Sequence, residues 1–196
     1  LRLTGDEVAA MAAGMGALDA TTLFRIHEKT DGWAAGAALM LDRLQRNPLP
    51  VDDLLPEAIG PVRDYFAHLL FDRQPADVRR MLLELAFLPT MHVSLAVALT
   101  GQPDAAAHLD SLYRRNLFTQ RSGSGVYRFH ALFRAFLLNR AAGELTIDEQ
   151  RQLALRAGRL LDASGEPEAA LPLYLQAEAW TAAAETLLTL APRLLA

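Results

Sequence analysis

A single period-two hairpin in a chain that otherwise repeats at helical spacing constrains the fold more than any other feature of this sequence. Leu117-Phe118-Thr119-Gln120 and Val126-Tyr127-Arg128-Phe129 alternate apolar and polar residues, and Ser122-Gly123-Ser124-Gly125 between them supplies the positive-φ positions of a turn. Short amphipathic blocks precede it at about 60–73, 75–87 (Pro75 in the first turn), 94–100 and 104–116, and a further helix is expected directly after it at 130–142. Compact helices followed by a hairpin give the order of a winged helix. Tyr127 and Phe129 then belong to the inner face of the wing and Arg128 to its solvated face.

On either side of this block the period is helical. Thr4-Gly5-Asp6-Glu7 is a capping box for a first helix carrying Val8, Met11, Ala12 and Met15. Asp19 caps a second helix with Leu23, Ile26 and His27, and Gly32 stops it before a third apolar stretch from Trp33 to Leu44. Asn47-Pro48-Leu49-Pro50-Val51-Asp52-Asp53 breaks every period, because two prolines in three residues force extended backbone. Beyond Thr146, blocks near 147–163, 167–177 and 179–190 carry the stripes Ala157, Leu160, Leu161, then Ala170, Leu173, Tyr174, then Ala183, Leu187, Leu188. Helical units of this kind bury their faces against neighbours in a stack. The expected fold is therefore mainly α: a small helical domain (1–46), a linker (47–56), a winged-helix domain with one β-hairpin (57–142), and the start of a TPR-like αα-solenoid (143–196).

Much chemistry is excluded by composition. The 196 residues contain no cysteine, which removes disulfides, thiolate metal sites and thiol catalysis. No apolar run approaches the ~20 residues of a membrane helix, since Glu84 interrupts the stretch around Met81–Leu88. The net charge is −4 and Lys29 is the one lysine, a balance that argues against a phosphate-backbone clamp. Gly14-Met15-Gly16 is half of a dinucleotide fingerprint without its strand or third glycine, and no Gly-x-x-x-x-Gly-Lys-Ser/Thr occurs. The five histidines (His27, His68, His92, His108, His130) lack metal-ligand spacing, and Ser122 and Ser124 lack the context of a nucleophile elbow. Catalysis by this segment is not expected. With Leu1 first and no signal-peptide pattern, the sequence reads as part of a longer cytoplasmic protein.

Two constellations remain. Thr30-Asp31-Gly32-Trp33-Ala34-Ala35-Gly36 is a helix–turn–helix corner with an indole between two glycines, and Trp33 on an apolar helix reads first as core. In Tyr127-Arg128-Phe129-His130-Ala131-Leu132-Phe133-Arg134-Ala135-Phe136-Leu137 a strand passes straight into a helix with His130 at the junction. His130 is either an ordinary helix-terminal histidine or a neighbour of an anion, which a helix N-terminus favours. Arg114, Arg115, Arg121, Arg128 and Arg134 gather around the wing, and are read as a solvated or domain-docking face ahead of a DNA contact.

With Asp72-Arg73-Gln74-Pro75-Ala76-Asp77-Val78-Arg79 and Leu109–Phe118, these motifs resemble the MalT-like STAND ATPases, the large ATP-binding LuxR-type bacterial transcriptional regulators. The resemblance covers about 30–140 in the family's order, and the tail resembles the family's start of a solenoid. It implies a modular switch: a P-loop nucleotide-binding domain upstream, a helical lid, a winged helix, a superhelical inducer sensor and a separate C-terminal DNA-binding domain. The present chain would hold the lid (about 4–46), the winged helix and the first sensor or arm helices. The nucleotide would be ATP or ADP, bound by the whole protein rather than by this segment, with oligomerisation on activation and no membrane. In related switches a Gly-x-Pro lid motif packs on adenine and a winged-helix histidine meets the ADP phosphate. Gly32-Trp33-Ala34 matches the first with Ala34 in place of the usual proline, and His130 matches the second. Two other functions compete: a directly DNA-binding winged helix, disfavoured by Asp104 and Asp110 on helix 104–116, and a helical-repeat scaffold for protein partners.

Overall fold

The computed structural model describes residues 3–13, 18–30, 32–46, 66–115, 117–123 and 125–194. The expected linker at 47–56 and the Gly14-Met15-Gly16 stretch lie outside them. The chain divides into two compact units, Leu1–Arg73 and Gln74–Ala196.

The first unit contains α1 (Gly5–Ala12), α2 (Ala20–Thr30), α3 (Ala34–Arg46) and a π-helical segment, Phe66–Phe71. The capping box forms: Glu7 N donates to Thr4 Oγ1 at 3.3 Å and Thr4 N to Glu7 Oε2 at 2.7 Å. Asp19 caps α2 through Thr22, whose amide and hydroxyl each donate to its carboxylate at 2.8 Å. These bonds satisfy amides that have no partner within the helix, and they hold the Asp19 carboxyl below its usual pKa. Val8, Ala12, Ile26, Ala37, Met40 and Leu41 close the core of this unit.

The second unit runs α4 (Ala76–Leu85), β1 (Met91–His92), α5 (Val93–Thr100), α6 (Ala105–Arg114), β2 (Thr119–Ser122), β3 (Val126–Phe129), α7 (Ala131–Glu144), α8 (Ile147–Ala163), α9 (Pro167–Gln176) and α10 (Trp180–Leu194). Through α7 this is a winged helix, but the sheet has three strands in the order β1-β3-β2. Beyond the expected hairpin, Met91 and His92 pair with Tyr127 and Val126 on the far side of β3. The hairpin itself is displaced by two residues, with Thr119 opposite Phe129 and Ser122 opposite Val126. The cause lies at Leu117 and Phe118. Leu117 N closes the end of α6 on Leu112 O at 2.9 Å, and Phe118 takes φ +50°, its carbonyl accepting from His130 N at 2.7 Å. The turn is consequently the shorter Gly123–Gly125, both glycines at positive φ (58° and 87°). Tyr127 and Phe129 are buried and Arg128 is exposed, as the alternation demands.

Helices α8 and α9 approach closely because Gly158 has no side chain: a Cβ there would stand 2.9 Å from Cε1 of the Tyr174 ring. Ala157, Leu161, Ala170, Leu173 and Tyr174 are buried as the stripes predict. Leu187 and Leu188 are exposed instead, because α10 turns Ala183, Thr186 and Leu190 inward. Polar bridges join the winged helix to these tail helices, among them three from outside α7. Arg80 donates to Glu84 at 2.8 Å and to Glu149, the N3 residue of the α8 capping box, at 3.1 Å. The Arg156 guanidinium donates to the Leu99 carbonyl, and Thr90 Oγ1 to Glu166 at 3.4 Å.

Candidate functional site

The strand-to-helix junction at His130 is built by an aromatic cluster. Phe133, one turn into α7, meets Phe129 edge-on at 5.4 Å and Phe118 at 6.2 Å, so the helix start is anchored on the wing it leaves. His130 is the N-cap residue of α7, and its ring is buried with Phe118 edge-on at 5.9 Å. Leu132 N donates to His130 Nδ1 at 3.3 Å. An accepting Nδ1 places the ring proton on Nε2, so the neutral imidazole is a hydrogen-bond donor on the side away from its own helix.

Arg134 corrects the expected arginine cluster. It does not join the solvated face around the wing but is half-buried one helical turn beyond His130, with Nη2 donating to the Phe87 carbonyl at 3.4 Å. Its Nε is buried and finds no hydrogen-bond partner among the described residues. Burial lowers the pKa of this guanidinium, yet an arginine stays charged near neutrality. Sequence reasoning placed Arg134 by its neighbours in the chain; the available signal was its spacing of four from His130 along α7.

At the corner between α2 and α3, Gly32 is buried with φ +72°, its amide donating to His27 O at 3.3 Å and its carbonyl accepting from Leu3 N at 2.7 Å. The left-handed backbone explains the first glycine. Trp33 is half-buried and stacks on Phe66 at 5.8 Å with the rings 24° apart. Gly36 lies under the indole: a Cβ there would come within 2.3 Å of Trp33 Cε3. That role of the second glycine was missed from sequence, where only a small residue three positions after a tryptophan hinted at it. Ala34 opens α3 and is half-buried. Gly32, Trp33 and Ala34 thus belong to the first compact unit and His130 to the second.

Two arginines on the outer face of the winged helix are paired with an acidic side chain. Asp110 on α6 pairs with Arg114 at 2.7 Å and Arg121 at 3.4 Å, and His108 meets Asp104 at 3.2 Å. Among the described residues there is no group of histidines and carboxylates able to hold a metal ion, and no helix is long and apolar enough to cross a membrane.

The second unit is thus a three-stranded winged helix whose last strand runs into a histidine-capped helix, followed by three further helices. Residues 67–150 match the family model of the MalT winged helix domain. The chain is similar to the HTH-type transcriptional regulator MalT of Klebsiella pneumoniae (strain 342), 28% identical over 137 residues that make up 67% of this chain and 15% of that protein. The same regulator of Vibrio cholerae is 26% identical over 159 residues, 78% of this chain and 18% of that protein. That of Yersinia enterocolitica is 30% identical over 130 residues, 63% and 14% respectively. Residues 67–150 are thus similar to the MalT winged helix domain, and the chain spans less than a fifth of the length of these relatives.

Proposed function

We propose that this segment is the inter-domain regulatory part of a nucleotide-controlled, cytoplasmic transcriptional regulator. It couples the ATP or ADP state of a nucleotide-binding domain in the same protein, and inducer sensing downstream, to DNA binding by a separate domain. The observation that carries the reading is the His130 junction, within the span similar to MalT: an imidazole fixed as an Nε2 donor beside the first-turn amides of a fourteen-residue helix. Donor N–H groups and the positive end of a helix dipole suit a phosphate, which supports the terminal phosphate of ADP as the group met here. The bound nucleotide supplies an anion whose charge differs between the two states.

What the chain's own residues do is bind and relay. His130 offers one charge-assisted hydrogen bond, and the Gly32-Trp33-Ala34 corner, with its indole still partly exposed, takes the adenine side. The Arg80, Arg156 and Thr90 bridges pass a displacement of the winged helix to α8 and α9. Direct DNA reading is disfavoured because Asp110 pairs with Arg114 and Arg121, two of the arginines that would meet phosphates. Removing one charge-assisted bond, worth about 1.5–3 kcal/mol, shifts a two-state population roughly ten- to a hundred-fold. In the full-length protein His130→Ala therefore loses ADP retention and raises basal transcription without inducer. Wild-type retention and an unchanged basal signal in a folded variant would refute the assignment.

A further inference from the structure

We draw no further inference here: the strongest candidate, the cleft between α8, α9 and α10 where the exposed indole of Trp180 stands beside Asp162, Glu178 and Glu185, is an acidic cluster under an aromatic face, and nothing in the structure shows what covers it.

Discussion

Gly36→Ala sets two effects of known size against each other, and the geometry of the Trp33 corner decides the sign. An alanine in the interior of α3 gains up to about 1 kcal/mol of helix propensity over glycine. Its Cβ would arrive 2.3 Å from Trp33 Cε3 and 2.9 Å from Cζ3, so the indole has to withdraw by about 1 Å to reach ordinary contact. It cannot do so freely, being stacked on the fully buried Phe66 at 5.8 Å. Overpacking of this kind costs about 1–3 kcal/mol, so the net effect is a destabilisation of up to about 2 kcal/mol confined to the first unit. Because the chain has two compact units, the assay is native-state hydrogen exchange of α1–α3 amides rather than a global melt. The expected result is exchange faster by up to about 30-fold in these helices and unchanged in α4–α9. Trp33→Leu in the same chain removes the conflict and restores much of the protection of the Trp33→Leu single variant. Unchanged or slower exchange in Gly36→Ala would show that propensity wins and that the indole is not held where Gly36 needs it.

Other outcomes follow from the polar bridges and caps. Arg80→Ala strands Glu84, whose side chain is only 12% exposed, and is expected to destabilise the second unit by about 1–2 kcal/mol; a neutral effect on its urea midpoint would contradict the bridge. Hydrogen bonds from Thr146, then Arg80, hold the Glu149 carboxyl below its usual 4.5, and the folded state therefore binds its proton less tightly than the unfolded one. That contribution is present above about pH 4.5 and is lost as pH falls further, so between about pH 6 and pH 3 the urea midpoint of wild type drops more steeply than that of Glu149→Gln. Parallel profiles would remove Glu149 from the acid response.

Most element boundaries were legible because local chemistry writes them. Thr4 and Thr146 begin capping boxes, Pro75 and Pro167 stand at helix starts, and Gly101 ends α5 at φ +68°. What was not legible depends on partners distant in sequence. Met91-His92 is a strand only because Tyr127 and Val126 lie beside it, and two residues carry no period of their own. The hairpin slid by two because Leu117 and Phe118 were claimed by the end of α6 and by His130, a tertiary demand that alternation cannot encode. His130 was legible as a strand-to-helix junction, but its fixed tautomer required the geometry of α7. Arg134 looked like one more wing arginine until its burial against Phe87 was seen. Leu187 and Leu188 read as core because two leucines in an apolar helix look alike until the buried face is known.

The most direct test of a nucleotide-reading winged helix is hydrogen–deuterium exchange across residues 129–136 of the full-length protein with ADP, with ATP and without nucleotide. A phosphate on His130 and the first-turn amides of α7 would hold that turn closed, so exchange there is expected to be slowest with ADP, faster with ATP and fastest without nucleotide, while the core of α8 stays unchanged. Identical exchange in all three conditions, in a protein shown to bind the nucleotides, would contradict the account.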